Sequence, residues 1–125
     1  MNLNQITVPS KDVPKAIEFY IKLGLELIVH THDRYARFEC NVGDATFSIH
    51  HSEDVPKGEG VLIYFEVKDV AETVSELTKK DIEIDRMPED KSWLWKEARL
   101  KDPDGNQIII YHAGENRKNP PWRIQ

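Results

Sequence analysis

The chain has 125 residues, the length of one domain, with 39% apolar and 31% charged residues and a net charge of −5. Its Lys and Arg residues are spread rather than massed, which argues against a nucleic-acid partner, and no apolar run approaches the length that spans a bilayer. The single cysteine, Cys40, cannot close an internal disulfide, which fits a reducing cytoplasm, and the first residues lead into a strand without a leader pattern.

Leu3 to Val8 reads as a strand. Asp12 then offers an N-cap, Pro14 suits a first helical turn, and Ala16, Ile17, Tyr20 and Leu23 recur at helical spacing before Gly24 stops the helix. Leu25 to His30, Tyr35 to Glu39 and Ala45 to His51 read as strands, the last two joined by the turn Asn41-Val42-Gly43-Asp44. Ser52 to Gly60, with Pro56, Gly58 and Gly60, is a linker. Val61 to Val67 is a strand, Asp69 a second N-cap, and Val70, Val74 and Leu77 the apolar stripe of a second helix. Ile82 to Ile84 reads as a short strand, and Trp95 to Lys101 and Gln107 to His112 as strands flanking the turn Asp102-Pro103-Asp104-Gly105-Asn106. The tail, residues 114–125, is polar and contains Pro120-Pro121-Trp122, which predicts an extended arm with Trp122 as its anchor.

The order βαβββ thus occurs twice. Ile6-Thr7-Val8-Pro9-Ser10-Lys11-Asp12-Val13 has its counterpart in Ile63-Tyr64-Phe65-Glu66-Val67-Lys68-Asp69-Val70, and Phe47-Ser48-Ile49-His50-His51 in Ile108-Ile109-Ile110-Tyr111-His112. A repeat present only twice predicts two half-domains closing on each other, with any ligand in the cleft between them. The expected class is α+β, a single domain of two tandem modules, about residues 3–51 and 61–113, forming a curved mixed sheet around a central cleft.

Together with Phe19-Tyr20…Leu23-Gly24-Leu25 at the end of the first helix and Asp-Pro-Asp-Gly-Asn before the last strand, this order resembles the vicinal oxygen chelate superfamily of glyoxalases, bleomycin-resistance proteins, fosfomycin-resistance proteins and extradiol dioxygenases. The resemblance covers about residues 3 to 113 and implies a homodimer, the modules pairing within one chain or across two. It also implies a divalent metal held by the first and last strands of each module. Carried over by register, those ligand positions fall on Gln5, Ser48, Leu62 and Ile109. Gln5 can serve; Ser48 is a poor neutral ligand; Leu62 and Ile109 have no donor atom. No cofactor is therefore expected.

Strand alternation places His50 on the face of Ser48, Tyr64 and Glu66 on that of Leu62, and Gln107 and Tyr111 on that of Ile109. Gln5, His50 and Glu66 form the alternative metal site. Against it stands the plainer reading of His50 as a hydrogen-bonded cavity residue and Glu66 as a residue at the rim. His51 and His112 fall on the opposite face. Trp93 and Trp95 share one face if their segment is extended, offering flat surface to an aromatic or cationic ligand, or else a lid or dimer contact. Arg37 with Glu39, and Arg99 with Glu97, form salt bridges or else anchor an anion. Cys40 has no histidine in a telling position to activate it as a nucleophile.

The expected ligand-binding set is thus Gln5, Arg37, Ser48, His50, Tyr64, Trp93, Trp95, Glu97, Arg99, Gln107 and Tyr111. Two readings compete: a metal-free protein binding a small organic molecule, and a metal-dependent lyase, isomerase or dioxygenase with shifted ligands. A structural dimerisation module is the third.

Overall fold

The computed structural model describes residues 1–124. They divide into two compact units: Met1–Gly60 with Asp102–Asn106, and Val61–Lys101 with the residues from Gln107 on. The first unit runs β1 (Gln5–Ser10), α1 (Val13–Leu23), β2 (Glu26–Thr31), β3 (Tyr35–Glu39) and β4 (Thr46–His51). The second runs β5 (Leu62–Glu66), α2 (Val70–Lys79), β6 (Arg86–Asp90), β7 (Lys96–Lys101) and β8 (Gln107–His112), followed by a 3₁₀ turn, Gly114–Arg117. Each unit holds a four-stranded mixed sheet, ordered β1-β4-β3-β2 and β5-β8-β7-β6, so the expected βαβββ repeat is present twice. Two residues separate α1 from β2, whereas six separate α2 from β6, which accounts for the offset between the halves growing from 57 positions at Ile6 and Ile63 to 61 at Phe47 and Ile108.

Local chemistry explains both helices. Asp12 and Asp69 cap them by accepting from the backbone N–H of Lys15 at 3.2 Å and of Glu72 at 3.0 Å. Gly24 ends α1 at φ +114, a conformation that penalises any side chain. The apolar stripe of α1 (Val13, Ala16, Ile17, Tyr20) is buried, as are Phe38, Phe47 and Ile49 of the sheet. The Tyr20 ring lies 4.6 Å from Phe47 and 5.8 Å from Phe38. In the second unit Val70, Val74 and Leu77 of α2 are buried together with Ile63, Ala98, Leu100, Ile108 and Ile110.

Two expectations need correction here. Ile82 to Ile84 is not a strand; it belongs to the long α2–β6 connection, with Ile82 buried as an apolar plug. The strand lies instead at Arg86–Asp90, in a sequence whose charges and Pro88 read as loop. It tolerates proline because it is an edge strand, and its pairing with β7 is irregular between Arg86 and Glu89. The tail is not an extended arm. It begins with the 3₁₀ turn, Arg123 N–H bonds Pro120 O at 3.0 Å, and Trp122 is 57% exposed rather than buried. Among the described residues no helix is long and apolar enough to cross a membrane.

The turn before β8 groups with the first unit. Asp102, 5% exposed, accepts hydrogen bonds from Tyr20 OH at 2.6 Å, Asn106 Nδ2 at 2.7 Å, and the backbone N–H of Asp104 and Asn106, both at 2.9 Å. Asn106 Nδ2 also donates to Pro9 O at 3.0 Å, and Lys11 N–H to Asp104 Oδ1 at 2.9 Å. Gly105 closes the turn at φ +87. Burial raises the Asp102 carboxyl above its ordinary range, against the lowering pull of Tyr20 and Asn106. Burial, together with the Asp102 charge, pushes the Tyr20 phenol far up.

Removing the Tyr20 hydroxyl should leave a buried acceptor short of a donor. Tyr20→Phe is expected to cost about 1–3 kcal/mol in urea unfolding. The cost should be smallest in acid, where Asp102 is protonated, and should grow as pH rises through its elevated pKa.

Candidate functional site

In the first unit the sheet face opposite α1 is polar. Register places Gln5 beside Thr46, Thr7 beside Ser48, and Ser48 beside Arg37. Gln5 Nε2 donates to Ser48 Oγ at 2.8 Å and to Thr7 Oγ1 at 3.1 Å, while Thr46 Oγ1 donates to Gln5 Oε1. The Ser48 hydroxyl, fully buried, also bonds Tyr35 OH at 2.8 Å. Arg37 Nε donates to the same phenol at 2.9 Å, with its guanidinium carbon 5.5 Å from the Tyr35 ring centroid. The structure thus joins three expected residues, Gln5, Ser48 and Arg37, through one that sequence reasoning passed over, Tyr35. Its signal was available: Tyr35 lies two residues before Arg37 and so shares its face.

His50 stands apart from this network. It is exposed and pairs in register with Pro9 and Tyr35, four residues along β4 from Thr46, the partner of Gln5. At about 3.3 Å per residue that is roughly 13 Å of strand. Glu66 has other employment: its Oε2 accepts from Ala113 N–H at 2.7 Å and Gly114 N–H at 3.0 Å, with Arg117 Nε and His112 Nδ1 each 3.9 Å from the carboxylate. The alternative metal trio of Gln5, His50 and Glu66 is therefore not supported by these surroundings. Among the described residues no group of three His, Cys, Asp or Glu side chains is placed to hold a metal ion. At the family's four ligand positions, Gln5 and Ser48 bond each other, and Leu62 packs against the cluster containing Ile109.

Burial alone would raise the Glu66 carboxyl, but the two backbone N–H groups, His112 and Arg117 outweigh it and hold the pKa below the ordinary range. His51 and His112, expected on the other face, are bound locally, His51 to Arg34 and Glu53, and His112 Nδ1 to Val67 O at 2.8 Å. Burial pushes the Cys40 thiol up, away from nucleophilic behaviour.

In the second unit the face opposite α2 is aromatic. Tyr64, Trp95 and Tyr111 pack with centroids 4.9 to 5.8 Å apart, and Trp95 Nε1 donates to Asn116 O at 3.4 Å. Gln107 is buried at the start of β8. The two tryptophans do not lie on an extended segment, as alternation had suggested. Ser92 to Leu94 forms the turn of the β6–β7 hairpin, closed by Leu94 N–H to Lys91 O at 3.0 Å, with Leu94 at φ +67. The turn separates their tasks: Trp95 joins the aromatic cluster, while Trp93 lines a pocket.

That pocket has a volume of about 310 Å³. Its lining includes the largely apolar Leu62, Tyr64 and Trp93 and the charged Arg86, Glu97 and Arg99. Trp93 Nε1 donates to Glu97 Oε2 at 2.8 Å, and Lys91 Nζ sits 5.9 Å from the Trp93 ring centroid. Four of the expected residues, Tyr64, Trp93, Glu97 and Arg99, therefore meet around one cavity, and Met87, Glu89 and Lys91 from the misread hairpin join them.

This architecture, doubled sheets with parallel outer pairs, defines a glyoxalase-type module pair. Residues 2–110 match the family described as Glyoxalase/Bleomycin resistance protein/Dioxygenase superfamily. The uncharacterized protein YraH of Bacillus subtilis (strain 168) is 31% identical, the match covering 89% of this chain and 98% of YraH. The chain belongs to this superfamily. A glyoxalase/bleomycin resistance protein/dioxygenase from Nocardioides has a similar fold, with TM-score 0.81 and 17% identity over 100% of this chain and 90% of that one. A bleomycin-binding protein solved with bleomycin is also similar, with TM-score 0.73 and 20% identity over 90% and 98% of the two chains.

Two outcomes test this description. Ser48→Ala strips a shared partner from Gln5 and Tyr35 and should cost about 1–3 kcal/mol in chemical denaturation. Because the Glu66 pKa is depressed, its hold on the C-terminal turn is present above the ordinary glutamate range and lost as pH falls through the folded value. Hydrogen exchange at the Ala113 and Gly114 amides should speed up on acidification beyond intrinsic chemistry, and Glu66→Gln should remove that dependence.

Proposed function

We propose that the protein binds a small organic molecule on the aromatic face of its second unit, without the metal site usual in its superfamily. The observation that carries this reading is the pocket of about 310 Å³ between Tyr64, Trp93 and the Arg86–Arg99 strand pair, at the lower end of ligand-sized cavities. The chemistry of the family's ligand positions supports the second part. A divalent cation needs several N or O donors; Leu62 and Ile109 provide none, and Gln5 and Ser48 satisfy each other. The competing reading, a metal-dependent lyase, isomerase or dioxygenase with shifted ligands, draws its support from fold likeness alone, and one fold serves several chemistries. Likeness to a bleomycin-binding protein shows that the fold can serve binding. A cytoplasmic homodimer completes the proposal, consistent with the unpaired Cys40.

Thermal unfolding against a panel of small organic molecules tests it. A ligand at a hundredfold excess over its dissociation constant should add about 2.7 kcal/mol of stability, and Trp93→Ala should abolish the shift. Zn²⁺, Ni²⁺ and Mn²⁺ should leave the midpoint unchanged. A saturable rise with one of these metals, or a metal-dependent turnover, would overturn the reading.

A further inference from the structure

The pairing of β6 with β7 sets like charges directly opposite each other twice. Arg86 is the register partner of Arg99, and Glu89 that of Glu97. Like charges in this relation are unfavourable on a sheet face. The acidic pair is relieved locally: Glu89 Oε2 lies 3.4 Å from Lys91 Nζ, and Glu97 Oε2 accepts from Trp93 Nε1 at 2.8 Å. Of the basic pair, Arg99 is engaged in an interaction of its own. The guanidinium of Arg86, exposed on the edge strand, makes no hydrogen bond or ion pair among the described residues. Both arginines line the pocket, as do the indole of Trp93 and the ring of Tyr64. Three cations, Arg86, Lys91 and Arg99, there meet two carboxylates, and both carboxylates have partners.

We infer that the pocket takes a small planar aromatic carboxylate, its ring against Trp93 and Tyr64 and its carboxylate on Arg86 beside Arg99. This rests on the binding function proposed above and adds the ligand's charge and shape. A guanidinium holds a carboxylate by two parallel hydrogen bonds, a geometry that lysine does not supply. A pocket of about 310 Å³ accommodates one or two fused rings with a short acid group and little more. The buried Glu97, fixed by the indole N–H, borders the same space and disfavours a second negative charge on the ring side.

Calorimetric titration with indole-3-carboxylate, its neutral amide indole-3-carboxamide, and tryptamine provides the test. The acid should bind at least tenfold more tightly than the amide, and tryptamine more weakly than either. Arg86→Gln should reduce acid binding tenfold or more and erase the preference for the acid over the amide. Because Arg86 is exposed on an edge strand opposite a like charge, this variant should keep the wild-type circular dichroism and an unfolding midpoint no lower than that of the wild type. Rising salt should weaken the acid and spare the amide. Equal affinity for acid and amide, indifference of the acid to Arg86→Gln, a preference for tryptamine, or no saturable binding of the acid would each overturn the inference. If the amide binds and Trp93→Ala abolishes it while the acid shows no advantage, the charge assignment alone falls and the binding function stands. If no compound in the wider panel binds either, the binding function falls with it.

Discussion

A buried carboxylate is tolerable only when its oxygens are fully occupied, and Asp102 meets that condition with four donors drawn from Tyr20, Asp104 and Asn106. The requirement reaches far into the first unit. Tyr20 must place its ring among Phe38 and Phe47 while its hydroxyl points at the carboxylate, which fixes the rotation of α1 over the sheet. The turn 102–106 must fold tightly, with Gly105 in the left-handed region, for Asn106 to reach both Asp102 and Pro9. A hydrophobic side chain at position 102 would release all these constraints together. The core of this unit is therefore organised by a polar bond as much as by its apolar volume.

The two units use one topology for different surfaces. In both, the face against the helix is apolar, as a half-buried sheet requires. On the opposite face, the first unit carries Gln5, Thr46, Ser48, Tyr35 and Arg37 in one hydrogen-bonded chain, whereas the second carries Tyr64, Trp95 and Tyr111 in ring contact. Corresponding positions Ser48 and Ile109 illustrate the divergence: both are fully buried, one through hydrogen bonds and the other in an apolar cluster. Membership of the superfamily therefore predicts the backbone far better than it predicts chemistry.

Most of the backbone was legible because local and tertiary signals agree. Both aspartate caps, Gly24, the helical stripes and the Asp-Pro-Asp-Gly-Asn turn each have a short-range physical cause, and each recurs in the structure. The reading failed where tertiary placement decides. Arg86–Asp90 has the composition of a loop and becomes a strand because β7 offers it an edge. Trp93-Leu94-Trp95 has the pattern of a strand and becomes a turn because the hairpin must reverse there. Of the candidate site, strand alternation placed Tyr64 on the face of Leu62 and Tyr111 on that of Ile109, and these four residues meet in the second unit. It did not reveal how far apart Gln5 and His50 lie, since that depends on the β1–β4 register, which no local pattern encodes.

The irregular strand at Arg86–Asp90 also bears on how copies of this chain can meet. A sheet edge exposes a row of backbone donors and acceptors that another strand can extend. At β6 Pro88 removes one donor, the irregular pairing between Arg86 and Glu89 twists the row, and three charged side chains crowd it. That edge is closed to further sheet growth. β5, at the other border of the same sheet, has no proline and pairs in unbroken register with β8. Within the second unit, the guard against strand addition is therefore written into the sequence of one border strand and not into that of the other.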